Sequence, residues 1–416
     1  MRPKTGLLLE TRSPDQYTAP TMVCSSHTPN VFPRALVLLV AIMAIGCSQD
    51  SEETDDPVAP AVAADPGHPG PAAVIDPTLL LRDITQWAGL AYPADGDRGL
   101  TFIDVDLDGF DDVVVPGRES TRVFRNRGDG SFYPIWVVDH PTISGIYPYT
   151  ADLTGDGIDD VLLVHEEGAL ILRSWGNGAF AVHRDIPKTV PALTSVASLA
   201  DVNGDGHMDI YLGYMSVDDP NDPLFGDGDG DCLDPEQAMG QVNEGEPSPD
   251  RLLLGPDFTD AAADVGLTAA LYTQAAMFID LDDDGALDLL IGTEGFRTDV
   301  FYRGDGNGRF VDATVGAGLT HETSAMGFDA ADIDFDGDLD LYVTDEHAET
   351  GDKLYLQTSP GKFEYATKTH GLSDTLGSTG WGVGWHDLDH DADLDLFVGN
   401  GIPLGDCPGG DQFNHL

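Results

Sequence analysis

With 416 residues, the chain is long enough for one large all-β domain or two ordinary domains. Its 20 Lys+Arg against 73 Asp+Glu give a formal charge of −53, which excludes nucleic acid and anionic lipid as partner surfaces and favours cations. A hydrophobic content of 41% separates it from acidic disordered tails. The four cysteines, Cys24, Cys47, Cys232 and Cys407, are too few for a disulfide framework, and no C-x-x-C pair or H-E-x-x-H helix points to zinc.

The first element reads as an export signal. Twelve uncharged residues, Ala35 to Gly46, follow Arg34, which suits a signal core and falls short of the roughly twenty needed to span a bilayer. The ending Ala44-Ile45-Gly46-Cys47 resembles a bacterial lipobox, with Ala44 where leucine is usual. That resemblance implies lipidation at Cys47 and a place on the outer membrane or cell surface. Without the lipid, the protein would be periplasmic or secreted. Residues 1–46 are thus a signal segment, and 47–78, rich in Pro, Ala and acids, read as a solvated tether.

Residues 79–416 hold six copies of one unit. Acidic stretches begin at Asp104, Asp152, Asp201, Asp280, Asp332 and Asp387, spaced 48, 49, 79, 52 and 55 residues apart. A period near fifty marks an array of supersecondary units, and the long interval holds an insertion at 216–250. In each unit an apolar segment precedes the acidic loop, and a strand-like run such as "DVLLV" or "DLYV" follows it. Turns such as "RGDGNGRF" come next, and in several units a segment ending in Gly-Leu closes the repeat. Four short strands per unit predict an all-β propeller of six visible blades, with seven possible. The acidic loop falls between the first two strands of each blade. The sixth unit lacks its second hairpin, so the chain reads as C-terminally truncated. "LLRDITQWAGL", from Leu79, matches the fourth strand of the other units and is expected to close the last blade.

The loops place oxygen side chains at positions 1, 3, 5 and 9, around a glycine at position 6. They are Asp104, Asp106, Asp108 and Asp112; Asp152, Thr154, Asp156 and Asp160; Asp201, Asn203, Asp205 and Asp209; Asp280, Asp282, Asp284 and Asp288; Asp332, Asp334, Asp336 and Asp340; and Asp387, Asp389, Asp391 and Asp395. Four oxygens within nine residues suit a hard cation wanting six to eight ligands, and the spacing favours Ca²⁺ over Mg²⁺, for up to about six ions. An EF-hand would need Glu at position 12. Here that position is Val115, Leu163, Leu212, Ile291, Val343 or Val398. Thr154 and Asn203 leave their loops with three carboxylates and predict weaker sites. Ala392 stands for glycine in the sixth loop. Arg127-Gly128-Asp129 and Arg303-Gly304-Asp305 sit in the repeated turns, where turn chemistry accounts for them.

These units resemble the FG-GAP/VCBS repeat, found in the propeller of integrin α subunits and in many bacterial surface proteins. "GDGNGRFVDATVGAGL" and "SAMGFDAADIDFDGDLDLYV" are most similar to the cartilage acidic protein branch. The resemblance implies Ca²⁺ at the loops and adhesion, or binding of a protein or glycan, on a loop face. No catalytic constellation is visible, so a binding module is expected ahead of a polysaccharide lyase or hydrolase on the same scaffold, or a passive surface protein.

Overall fold

The computed structural model describes residues 88–90, 99–215, 246–295, 297–346, 351–372, 380–388 and 393–400. The signal segment 1–46 with Cys47, the tether 47–78 and most of the insertion lie outside the described residues.

The described chain is a succession of antiparallel sheets in sequence order. The first holds β1 (Thr101–Ile103), β2 (Asp112–Val115), β3 (Ser120–Asn126) and β4 (Phe132–Asp139). The second holds β5 (Tyr147–Ala151), β6 (Asp160–His165), β7 (Gly168–Ser174) and β8 (Phe180–Pro187). In the third, β9 (Leu193–Ala200) and β10 (Asp209–Met215) precede a two-residue strand β11 (Ser248–Pro249), then β12 (Arg251–Leu254) and β13 (Thr259–Asp260). The pair β11 and β14 (Ala270–Leu271) forms a small side ladder. The fourth sheet is β15 (Thr273–Ile279), β16 (Asp288–Thr293), β18 (Val300–Gly304) and β19 (Phe310–Asp312), with β17 (Arg297–Thr298) paired outside it to β20 (Glu322–Thr323). The fifth is β21 (Ala325–Ala331), β22 (Asp340–Asp345), β23 (Lys353–Ser359) and β24 (Lys362–Tyr365). Last come β25 (Gly380–His386) and β26 (Asp395–Asn400).

The second strands show why the sheets stack. In β6, β16 and β22 all six residues are buried, although antiparallel strands with one wet face alternate. Their side chains alternate between two seams instead. Val161 and Leu163 of β6 pack with Val114 and Val123 of the first sheet, while Leu162 and Val164 pack with Ile210 and Leu212 of the third. Leu289 and Ile291 face the third sheet, and Leu290 the fifth. Tyr342 and Leu354 of the fifth sheet meet Val383 and Val398 of β25 and β26. The apolar core is therefore a series of seams between neighbouring sheets. The first strands of successive sheets lie side by side. They are tied by bonds such as Ser195 Oγ to the Thr273 carbonyl (2.5 Å) and the Trp385 amide to Asp329 Oδ2 (2.8 Å). This is the blade stacking of a β-propeller.

Two expectations need correction. The fourth strand of a unit is shorter than the Gly-Leu segment that carries it: β13 and β19 give way to one-turn helices, Ala262–Val265 and Thr314–Ala317. Gly266 and Gly318 end those helices in the left-handed conformation, and each lies so close to the backbone of the next sheet's outer strand, at Phe310 and Phe363, that a Cβ would meet a carbonyl oxygen. The insertion also ends earlier than 250, because Ser248 and Pro249 form β11 and Asp250 anchors the third blade.

Five of the six expected blades have four strands, and the sixth shows two among the described residues. The expected closure by the segment from Leu79 falls mostly outside the described residues. Its end, Gly89, lies against the Phe132 carbonyl of the first sheet as Gly266 lies against that of Phe310.

Candidate metal centres

Each acidic loop joins the first strand of a blade to the second, as the spacing predicts, and position 12 falls within the second strand in all six units. Five loops are fully described and share one backbone path. Position 1 grips the turn: Asp104 Oδ1 and Oδ2 accept the amides of Asp108 (3.0 Å) and Gly109 (2.8 Å). Asp152, Asp201, Asp280 and Asp332 repeat this pair of bonds. Position 5 accepts the amide of position 7 in all five, as in Asp336 to Asp338 at 3.1 Å.

The path needs two left-handed residues. Position 6 is glycine, with φ from +84° to +99°. Position 4 is left-handed too: Gly155 and Gly204 in two loops, but Leu107, Asp283 and Phe335 in the others, at φ near +60°. A branched or bulky side chain is rarely found there. The sequence reading missed position 4, although the glycines at 155 and 204 marked it.

Position 9 is the buried foot of the loop. Asp112 Oδ2 accepts the amide of Val105 (3.1 Å), and its Oδ1 that of Asn126 at the end of β3 (2.7 Å). Asp160, Asp209, Asp288 and Asp340 make the same bridge from loop to third strand, and Asp395 Oδ2 accepts the Leu388 amide at 2.9 Å. Burial raises the pKa of Asp112, Asp160, Asp209, Asp288 and Asp340, that of Asp288 to about 6. Position 9 thus welds three strands together.

Position 3 separates the loops. Asn203 Oδ1 and Asp334 Oδ1 accept the amide of position 5, at 2.9 and 3.2 Å. Asp106 Oδ1 and Asp282 Oδ1 are buried without a hydrogen-bond partner, and Asp282 is only 2% exposed. An unpartnered buried carboxylate oxygen is costly unless charge balances it. Carboxylate oxygens of Asp104, Asp106 and Asp108, of Asp280, Asp282 and Asp288, and of Asp332, Asp334 and Asp336 lie within 4.8 Å of one another in each group. These sets fit a hard cation that oxygen ligands would hold. The loops with Thr154 and Asn203 lack a third clustered carboxylate, in line with their composition. In the sixth loop, Asp389 and Asp391 lie outside the described residues, as does Ala392.

A second set of aspartates, at the opposite end of the second strands, escaped the sequence reading. Asp250 is buried; its Oδ1 accepts the Tyr214 amide (2.9 Å), and its Oδ2 accepts the hydroxyls of Tyr211 (2.5 Å) and Thr273 (2.7 Å). Asp299 accepts the Thr293 amide and the Thr323 hydroxyl, and Asp352 accepts the Asp345 amide and the Tyr342 hydroxyl. Burial raises their pKa values to about 6 for Asp250 and Asp352 and about 7 for Asp299. Each stands directly before a third strand, in "PDRLLL", "TDVFYR" and "GDKLYL". That shared context was the available signal.

The rim beside the acidic loops exposes apolar side chains. Phe110, Trp175 and Phe335 are each about half exposed or more. Arg127 lies over the Tyr133 ring (4.7 Å) and Arg173 over that of Trp175 (4.5 Å). Among the described residues no helix is long and apolar enough to cross a membrane.

Comparison with curated proteins gives no match. Among solved structures, the chain is similar to a lectin from Agrocybe aegerita that recognises non-reducing terminal N-acetylglucosamine (19% identity, 72% of this chain and 73% of that one, TM-score 0.42). It is also similar to the V. cholerae biofilm matrix protein Bap1 (16% identity, 65% of this chain, TM-score 0.34), of which it covers 38%. The FG-GAP-like repeat matches residues 104–163, 152–212 and 280–343, each running from the head of one acidic loop through a later second strand. These three FG-GAP-like repeats lie on the chain's consecutive four-stranded sheets.

Proposed function

We propose that this protein is an exported, calcium-binding surface propeller that binds a protein or glycan ligand without catalysis. Calcium at the loops between first and second strands would order the rim, and the rim would present the ligand-binding surface. The observation that carries this reading is the pairing of clustered, partly orphaned loop carboxylates with exposed Phe110, Trp175 and Phe335 beside them. Apolar rings in a polar, charged rim are suited to stacking on a sugar face or packing against a partner. The strongly acidic composition supports a cation partner and argues against nucleic acid. Export and an anchor at Cys47 rest on the apolar run before that cysteine.

The test is a glycan array and a solid-phase assay against extracellular matrix proteins, run on the full chain in calcium and in chelator. The reading expects a calcium-dependent ligand whose binding drops in Trp175→Ala and Phe335→Ala. Binding that ignores both calcium and these rings would remove its basis.

A further inference from the structure

Three of the five described loops carry their own positive charge. The strand registers, continued by one residue, place Arg125, Arg173 and Arg303 of the third strands opposite Asp112, Asp160 and Asp288, the position-9 feet of the first, second and fourth loops. From there each guanidinium reaches back over its loop. Arg125 Nη2 sits between Asp106 Oδ2 (2.7 Å) and Asp108 Oδ2 (2.8 Å). Arg173 Nη2 pairs with Asp156 Oδ2 (2.7 Å). Arg303 Nη2 pairs with Asp282 and lies 3.5 Å from Asp284 Oδ2. In the first and fourth loops a single nitrogen thus fills the gap between positions 3 and 5, where a cation would draw the same oxygens together. In the third and fifth loops the equivalent residues are Leu254 and Leu356. Among the described residues no lysine or arginine pairs with the carboxylates of those two loops.

Position 3 follows the same division. Where arginine is present, Oδ1 of Asp106 and of Asp282 is left without a hydrogen bond. Where arginine is absent, Asn203 and Asp334 cap the position-5 amide. Two structural classes of loop therefore stand on one backbone path.

We propose that Arg125, Arg173 and Arg303 are internal competitors for the loop cation, so that the propeller fills in two stages. The loops at Asp332 and Asp201, which have no guanidinium to displace, take calcium first, with Asn203 in place of a carboxylate leaving the Asp201 loop the weaker of the two. The loops at Asp104, Asp152 and Asp280 take it only at higher concentration, as their guanidinium is displaced. The fifth loop, with Asp338 added to four carboxylates and no arginine, is the first to fill. The second, with Thr154 and an arginine, is the last. The weaker loops then work as a rim that responds to the ambient calcium level, while the stronger ones stay occupied. This inference rests on the calcium reading above.

Equilibrium dialysis and calorimetric titration of the full chain with calcium alone test it. The wild-type chain is expected to show at least two affinity classes. In R125M/R173M/R303M the weak class should tighten about tenfold, the scale of repulsion between a divalent ion and a unit charge a few ångströms away in a hydrated loop. Arg303→Lys, which keeps the charge, should leave the fourth loop weak, whereas Arg303→Met alone should tighten one site; this pair decides the matter if the triple variant fails to fold. A wild-type chain that binds calcium, with isotherms unchanged in Arg303→Met, would overturn the competitor role and leave the calcium reading standing. A wild-type chain that binds no calcium would overturn both.

Discussion

The two ends of the second strands in the third, fourth and fifth sheets use aspartate in opposite ways. At the loop end, three carboxylates crowd together in the first, fourth and fifth loops, and Asp106 and Asp282 keep a buried oxygen without a hydrogen bond. At the other end, Asp250, Asp299 and Asp352 are buried and accept hydrogen bonds from backbone amides and hydroxyls. The first arrangement leaves buried oxygens that a cation would balance; the second finds its donors within the chain. Net charge alone does not distinguish them. What distinguishes them is whether each oxygen has a donor, which is a matter of geometry.

The contrast can be broken most severely at the closed end. Asp250→Ala would leave the Tyr211 and Thr273 hydroxyls and the Tyr214 amide buried without their acceptor, a loss of about 3 kcal/mol or more. Chemical denaturation should show that loss equally with and without calcium, since no loop is touched. A loss that calcium rescues would blur the distinction. Leu163→Ala, in the seam between the first two sheets, should cost about 3 kcal/mol by leaving a cavity, again regardless of calcium.

The sequence made the loop end legible and the closed end obscure for a physical reason. A cation loop needs its oxygens within nine residues, so Asp332 to Asp340 can be seen in one glance. The closed end brings together Tyr211, Asp250 and Thr273, which only the folded blade juxtaposes, and the insertion spreads them further apart. The second strands were equally plain, because burial on both faces demands an unbroken apolar run such as Leu289–Ile291. The one-turn helices at Ala262 and Thr314 were not, since four residues carry no periodicity. The link of Arg125, Arg173 and Arg303 to the acidic loops was hidden in the sequence until the register set them over the loops.

A smaller effect should follow pH. Burial raises the folded-state pKa of Asp299 and Glu346 to about 7 and of Asp250 and Asp352 to about 6. A raised carboxyl pKa means that the folded chain holds more protons than the unfolded one, so stability falls as pH rises through the range from about 4 to about 7. In chelator, Tm should therefore be higher near pH 5.5 than near pH 8. Asp299→Asn should flatten part of that slope. A Tm that rises with pH in chelator would contradict the burial argument.

The smallest effect belongs to a single loop. Asp336→Asn removes one carboxylate from the fifth loop and leaves its backbone bonds largely replaceable. In chelator it should change stability little, and in calcium it should remove up to one ion's contribution, about 1.4 kcal/mol at ten times Kd. The same change at Asp156, beside Arg173, should matter less in low calcium.

The most direct test of the account is a calcium titration of the full chain, with thermal unfolding followed in chelator and at rising calcium. The account predicts several ions bound per chain and a Tm that climbs with calcium concentration. A Tm indifferent to calcium, with no ion retained, would contradict it and leave the loop aspartates as turn residues alone.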